Sequence, residues 1–135
     1  MKKTILVLMS VLFAISASAS ETSLCRTGKR MDRRFVKFES LEVGSEVVIN
    51  LIPFLTIDIP SNGVYTVSSV NENSILLELR DFNQSNPKYN GWYPREFTLI
   101  RRPATPLETL GGLTLILPAD EDQPTSSLPL ECVLG

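Results

Sequence analysis

The amino-acid sequence predicts an all-β fold, a single small β-barrel with an N-terminal arm and a proline-rich C-terminal tail. Two observations lead to this prediction. Between residues 35 and 102, short runs of β-branched and apolar residues alternate with polar ones, and turn-forming residues separate the runs. Over the same stretch, no apolar spacing typical of an amphipathic helix continues for more than a turn or two.

The first 19 residues have the pattern of a cleavable secretory signal peptide. Lys2-Lys3 supplies the positive start, an apolar run extends from Ile5 to Ile15, and Ala17-Ser18-Ala19 fits the small-x-small cleavage pattern. The apolar run is shorter than the roughly 20 residues that a membrane-spanning helix needs. We therefore predict cleavage after Ala19, with Ala17 as the second choice, and a periplasmic or secreted mature chain without a transmembrane segment.

Removal of residues 1–19 would change the charge of the chain. The whole sequence has 13 Lys+Arg and 15 Asp+Glu, and loss of Lys2-Lys3 leaves 11 against 15. This ordinary acidic balance does not indicate a nucleic-acid partner. A mature chain of this length is sufficient for one modest domain with a single core.

Two cysteines, Cys25 and Cys132, lie near the two ends of the mature chain. In an oxidising compartment, such a lone pair forms a disulfide more often than a reactive site. Two free thiols, or a bridge between two chains, remain alternatives. A bridge within one chain would pin the N-terminal arm to the C-terminal tail.

The sequence contains no histidine, which excludes several kinds of catalytic and metal site. Ser–His and Cys–His nucleophile pairs and the usual histidine metal sites are absent, and no Lys follows the Gly111-Gly112 pair as it would in a nucleotide-binding loop. We predict no catalytic residues, no metal and no cofactor, and favour binding over catalysis. A small hydrolase that uses two carboxylates remains an alternative, because Asp and Glu are numerous.

The predicted arm, residues 20–34, is basic. Its charged cluster contains Arg26, Lys29, Arg30, Arg33 and Arg34, with Asp32 among them. Such a cluster can contact a membrane surface, a polyanionic envelope polymer or an acidic partner. It is also typical of a solvated arm that leads into a fold, and we adopt this second interpretation because no amphipathic stripe accompanies the charges.

Five segments of the barrel region, residues 35–102, have the pattern of strands or short apolar stretches. They are residues 35–38, 46–52, 64–70, 74–80 and 97–100. The first long strand ends before Pro53, and an apolar loop bounded by prolines follows it. Asn62-Gly63 predicts a tight turn, because both residues tolerate a positive φ. The two strands after this turn form a predicted hairpin around Asn71-Glu72-Asn73.

The tail, residues 103–135, contains prolines at 103, 106, 118, 124 and 129 and the acidic run Asp120-Glu121-Asp122. One strand is predicted in it, at residues 113–117. Residues 118–129 are too poor in apolar side chains to fold alone, so we expect attachment to order them. The last residues, 130–134, would dock on the barrel if Cys132 is bridged.

Residues 41–100 resemble a small Src-homology-3-like β-barrel of the kind found in bacterial and phage proteins. The resemblance rests on Val43–Val47 before the first long strand, Gly63–Val67 in the second, and the closing block Gly91-Trp92-Tyr93-Pro94-Arg95-Glu96-Phe97-Thr98-Leu99-Ile100. It covers about half of the mature chain. As a sign of function it is weak, because this architecture has many unrelated roles.

The resemblance implies a shallow groove for a peptide or a glycan-linked peptide, lined by aromatic residues and lying between the long first loop and the loop before the closing strand. The matching positions are Phe54, Tyr65, Tyr89, Trp92 and Tyr93, with Arg95 at the rim. A structural alternative is that Trp92 packs over the barrel end while Tyr65 is half-buried on a strand face.

Taken together, these features predict an exported, non-enzymatic module that binds a protein, a peptide or an envelope polymer. The alternative is an accessory subunit that docks through the tail, in which residues 113–117 add to the edge of a partner's sheet.

Overall fold

The structure is a computed structural model that describes residues 22–55, 58–102, 112–119 and 124–134. The predicted signal peptide and the acidic run Asp120-Glu121-Asp122 lie outside these residues. The described elements are, in chain order, β1 (Ser23–Arg26), β2 (Phe35–Phe38), β3 (Glu46–Asn50), β4 (Asn62–Val70), β5 (Ser74–Asn83), α1 (Pro87–Asn90), β6 (Glu96–Arg102), β7 (Gly112–Leu117) and β8 (Ser126–Leu134).

The described strands form a closed antiparallel barrel in which each strand pairs with the next along the chain. The ring closes where β8 pairs with β1, with Cys25 opposite Cys132. This is the up-and-down arrangement that consecutive hairpins produce. The prediction of a small all-β barrel is therefore confirmed.

The predicted hairpin of β4 and β5 is confirmed, and these are the two longest strands of the barrel region. The backbone N–H of Asn71 donates to the carbonyl of Ser74 at 2.8 Å in the connecting turn. The pairing register shifts between Val64 and Tyr65 and between Val67 and Ser69. Such irregularities bend a pair of strands. The long strand β5 pairs with β4 along most of its length, but it pairs with β6 only through residues 74–78.

The tight turn predicted at Asn62-Gly63 is wrong, because both residues begin β4. Gly63 is buried and pairs with Ile49 of β3 and with Phe82 of β5. It leaves space there for the rings of Tyr65 and Tyr93, which a Cβ atom at this position would meet at 2.6 and 2.7 Å.

The barrel also takes in strands from outside residues 35–102. β1 comes from the predicted arm, and β7 confirms the strand predicted at 113–117. β8 passes through Pro129, which lies opposite Thr114 of β7. β1 pairs with β8 only from Glu131 onwards, so that side of β8 has no partner strand at Pro129. A strand tolerates proline at such an unpaired edge.

The barrel interior is filled by side chains. Alternate residues of the strands point inward, namely Cys25, Val36, Val47, Ile49, Tyr65, Val67, Ile75, Leu77, Phe97, Leu99, Leu113, Leu115, Leu130 and Cys132, and none of them is more than 5% exposed. Eight strands make a barrel just wide enough for side chains to fill. Because the interior of the described barrel is filled, a ligand can reach only the barrel ends or the outer surface.

The predicted disulfide between Cys25 and Cys132 is confirmed. It joins directly opposed residues of β1 and β8, with the two Cα atoms 4.0 Å apart, and it spans 107 residues of sequence. Neither cysteine is free, so the alternatives of free thiols and of a bridge between chains do not hold in this structure.

The strand directions place the loops at two opposite ends of the barrel. The described parts of loops 27–34, 51–61 and 84–95, with residues 118–119 and 124–125, share one end, which we call the long-loop end. Loops 39–45 and 71–73 and the end of β6 share the other. Among the residues that the structure describes, no helix is long and apolar enough to cross a membrane.

Candidate functional site

Three of the loops at the long-loop end are joined by direct contacts. The backbone N–H of Arg33 donates to the carbonyl of Pro53 at 3.1 Å, and the Asn50 side-chain Nδ2 donates to the Arg33 carbonyl at 2.8 Å. The rings of Phe54 and Trp92 meet edge to face with their centroids 6.3 Å apart. These contacts hold loop 27–34 beside loop 51–61, and loop 51–61 beside loop 84–95.

Two buried tyrosine hydroxyl groups anchor these loops to the barrel. The Tyr93 hydroxyl accepts from the backbone N–H of Leu51 at 3.2 Å and donates to the Ser61 carbonyl. The Tyr65 hydroxyl donates to the Pro94 carbonyl at 2.7 Å. Burial raises the pKa of both tyrosines, so both hydroxyl groups stay protonated and remain donors at neutral pH.

The short helix α1 sets the orientation of Trp92. Asn86 caps the helix, because its side-chain oxygen accepts from the Lys88 backbone N–H at 3.2 Å. The backbone N–H of Trp92 donates to the Tyr89 carbonyl at 3.0 Å. This turn buries Tyr89 and leaves Trp92 46% exposed. The Tyr89 and Trp92 ring centroids are 6.2 Å apart, so Phe54 and Tyr89 support the indole and part of it faces solvent.

A groove of about 490 Å³ lies beside Trp92. Its apolar lining includes Leu51, Pro53, Trp92, Pro94, Leu117, Pro118 and Pro124. Proline has a fixed φ, so the walls that these residues form are stiff. The groove therefore offers an exposed aromatic surface next to apolar walls that lose little conformational freedom when a ligand binds.

Arg34 also lines this groove, and it is committed to Asp32. Its Nε donates to Asp32 Oδ1 at 3.0 Å and its Nη2 to Oδ2 at 2.6 Å, a bidentate pair in which the Asp32 side chain is only 6% exposed. The hydrogen bond from the Arg34 side chain is the main cause that lowers the pKa of Asp32 to about 2. Asp32 is thus a carboxylate at neutral pH and cannot serve as a general acid.

Substitution of Asp32 by Asn is expected to reduce the free energy of unfolding at pH 7 by about 2 kcal/mol. The folded-state pKa of about 2 lies below the ordinary value of 3.8, so the carboxylate stabilises the fold above about pH 4. This contribution is lost as the pH falls towards 2. Urea unfolding of both proteins at pH 7 and pH 2 checks the prediction, and an equal difference at the two pH values would contradict it.

The six residues predicted to bind a ligand differ in exposure and do not all line one groove. Tyr65, Tyr89 and Tyr93 are buried, so their rings support the barrel end and present little surface to a ligand. Phe54 and Trp92 are each about half exposed and touch each other. Arg95 is exposed, but it lines a different cleft. The assignment of these residues to ligand binding stays a prediction, which this geometry narrows to Phe54 and Trp92.

The sequence did not indicate two features of this end: the prolines that line the groove from the β7–β8 connection, and the exposed apolar side chains of the loops. Pro118 and Pro124 belong to the segment interpreted as a tail, and their place opposite Trp92 depends on the pairing of β7 with β8. Met31, Leu55 and Ile59 are large apolar side chains that are mainly exposed. One sequence signal could have indicated these residues. They are apolar side chains in segments whose prolines and charges made a core strand improbable.

Two acids of this end are engaged in ion pairs with basic side chains. Asp32 lies against Arg34, and Asp58 lies 3.6 Å from Lys88. In the described part of the chain, no group of three or more His, Cys, Asp or Glu side chains could hold a metal ion. The arrangement is suited to apolar and aromatic contact.

No protein-family model matches the chain, and neither the curated proteins nor the solved structures that were compared contain a match. The geometry of the long-loop end is therefore the basis for what is proposed about function. The fold alone would not specify a function, because small β-barrels have many.

Proposed function

We propose that the chain is an exported, non-enzymatic binding module whose groove holds an extended segment of a protein or the peptide-bearing strand of an envelope polymer. One observation carries this proposal. Trp92, 46% exposed, stands at an apolar groove of about 490 Å³ with proline walls. Tryptophan is enriched at the centres of binding interfaces, because one side chain buries a large area with little loss of rotamer freedom.

The shape and chemistry of the groove suit an extended chain. Aromatic-lined grooves receive proline-rich or extended segments, whose apolar faces stack on the indole ring. Here Pro53 and Pro94 flank the tryptophan, and Pro118 and Pro124 extend the lining. A preformed groove of this kind reduces the conformational entropy that binding must overcome.

The resemblance to Src-homology-3-like barrels supports the same location. Residues 41–100 supply β3 to β6, and loops 51–61 and 84–95 correspond to the two loops between which such barrels bind peptides. The wall from Pro118 and Pro124 lies outside this block, so the groove has an additional side. Export is supported by the signal-peptide pattern of residues 1–19 and by the Cys25–Cys132 disulfide.

The two alternative functions have less support. β7 pairs with β6 on one side and with β8 on the other, so the strand expected to add to a partner's sheet is already paired at both edges. A carboxylate hydrolase needs two acids that can share acid and base roles. Two acids at the groove end, Asp32 and Asp58, lie beside Arg34 and Lys88 instead.

Substitution of Trp92 by Ala is expected to weaken binding at least about tenfold, since loss of a central aromatic anchor commonly costs 2 kcal/mol or more. The mature protein is tested for retention on purified peptidoglycan and for capture of protein from an envelope extract. Val43→Ala is the matched control, because Val43 is 65% exposed at the opposite end of the barrel. It is expected to bind as the wild type does.

Thermal unfolding of the Trp92→Ala variant shows whether it remains folded, which we expect because the side chain lies at the surface. Retention of the wild type in neither fraction would contradict the proposed function. Equal retention of the folded Trp92→Ala variant and the wild type would show that the groove is not the binding site.

A further inference from the structure

The loops around the groove carry large aliphatic side chains that the groove does not use. Met31, Leu55 and Ile59 are 77%, 81% and 67% exposed. None of the three lines the groove. The hydrogen bond from the Arg33 N–H to the Pro53 carbonyl keeps their two loops side by side. We call these three residues the apolar crest.

Basic side chains surround the apolar crest. Lys29, Arg30 and Arg33 are exposed and flank Met31 in loop 27–34. Of the acids described at this end, Asp32 and Asp58 lie beside cations, and the Glu131 carboxylate lies next to Gly28 of loop 27–34. The acidic run at 120–122 belongs to the connection between β7 and β8 and lies outside the described residues.

The opposite end of the barrel carries charges of both signs. Its loops 39–45 and 71–73 contain Glu39, Glu42 and Glu72, and β6 ends there at Arg102. The backbone N–H of Arg101 donates to the Asn73 carbonyl at 2.9 Å, so this basic residue lies beside loop 71–73. The exposed basic residues of loop 27–34 stand next to Met31, so the same face presents apolar and positively charged groups to a negatively charged plane.

We propose that the apolar crest docks the barrel onto an anionic lipid surface. Met31, Leu55 and Ile59 insert between the headgroups, while Lys29, Arg30 and Arg33 lie at the level of the lipid phosphates. Exposed apolar side chains together with nearby basic residues are the two requirements for reversible attachment to anionic membranes. This inference goes beyond the groove ligand, because it uses a different set of residues.

Two features favour a lipid surface over other occupants. The crest side chains protrude separately from two loops, and a fluid bilayer accepts protruding chains without a matching cavity. A second copy of this chain would bring the same basic cluster against itself, and such a pair of like charges is unfavourable. Charge complementarity instead points to an anionic partner, and the aliphatic crest points to an apolar layer behind the charges.

The test is binding of the disulfide-bonded mature protein to vesicles of phosphatidylcholine, with and without 30% phosphatidylglycerol. We expect the protein to cosediment with the anionic vesicles at least about tenfold more tightly than with the neutral ones, and salt to weaken this binding. Trp92 is the single tryptophan of the sequence and lies at the same end, so its emission should shift to the blue on the anionic vesicles.

The variants separate the crest from the rest of the surface. Leu55→Ser with Ile59→Ser is expected to reduce binding to anionic vesicles at least about tenfold, and Lys29→Gln with Arg30→Gln should also reduce it. Neutralisation of Asp120, Glu121 and Asp122 should strengthen it. The matched control is Val43→Ser with Val133→Ser, two side chains 65% and 53% exposed near the opposite end, which should leave binding unchanged.

Several results would overturn the proposal. They are no binding to anionic vesicles, equal binding to both vesicle types, or unchanged binding of the Leu55/Ile59 variant. Self-association in gel filtration that this variant abolishes, without vesicle binding, would assign the crest to a second copy. The Leu55/Ile59 variant leaves the groove lining intact, so it should still be retained on peptidoglycan or on envelope protein if the wild type is. Retention there and binding to vesicles are therefore independent results, and the membrane proposal and the proposed function can fail separately.

Discussion

Reduction of the Cys25–Cys132 disulfide is expected to lower the free energy of unfolding by about 4–5 kcal/mol. The bond spans 107 residues, and a crosslink that closes so long a loop removes much of the conformational freedom of the unfolded chain. It also lies at the seam where β1, only four residues long, closes the ring against β8. Urea unfolding of the protein with and without dithiothreitol measures the change.

The double variant Cys25→Ala, Cys132→Ala provides the control. It should unfold at lower urea concentration than the oxidised wild type, and dithiothreitol should not change its midpoint. Both cysteines are nearly fully buried, so the variant also loses some packing, and the comparison of oxidised with reduced wild type isolates the bond itself. Coincident unfolding curves for those two forms would contradict a stabilising role.

The sequence predicts the central strands well because their side chains alternate clearly. In β4 and β5, Tyr65, Val67, Ile75 and Leu77 point inward, and polar or partly exposed residues lie between them. Period-two patterning of this kind depends on the two faces of a strand having different surroundings. The local pattern is therefore sufficient to predict both the strand and its inner face.

The barrel's first and last strands are harder to predict. β1 buries one residue fully, Cys25, and β8 is interrupted by Pro129. Leu128, Leu130 and Cys132 of β8 do alternate inward, but a proline beside them resembles a tail when the pairing is unknown. Pro129 is tolerated because β1 does not pair with β8 at that point, a fact of register that one segment of sequence does not contain.

The candidate site, too, could be predicted from the sequence only in part. The sequence places Tyr89, Trp92 and Tyr93 in one loop, but it does not indicate which of them face inward. One turn of helix, α1, settles this by burying Tyr89 and exposing Trp92. The Tyr93 hydroxyl finds its partners at Leu51 and Ser61, more than thirty residues earlier in the chain, so only the folded barrel brings them together.

Substitution of Gly63 by Ala is expected to lower the free energy of unfolding by about 3 kcal/mol, the upper range for a group forced into a filled core. A Cβ atom on Gly63 would lie 2.6 Å from Tyr65 Cε1 and 2.7 Å from Tyr93 Cδ1. Neither ring can move away easily, because each hydroxyl is hydrogen-bonded to backbone of the loops that close the barrel. Relief of the contact would therefore break bonds that hold loops 51–61 and 84–95 in place.

The matched control is Gly91→Ala, at a glycine in the same part of the fold. Gly91 has a φ of −67°, and a Cβ atom there would meet no heavy atom within 4 Å. An alanine is acceptable at such a position and is expected to change stability by less than about 1 kcal/mol. Denaturant unfolding of both variants measures the difference between them. Equal stabilities would contradict the close packing of Gly63 against the two tyrosines, and with it the explanation of why this strand requires a glycine.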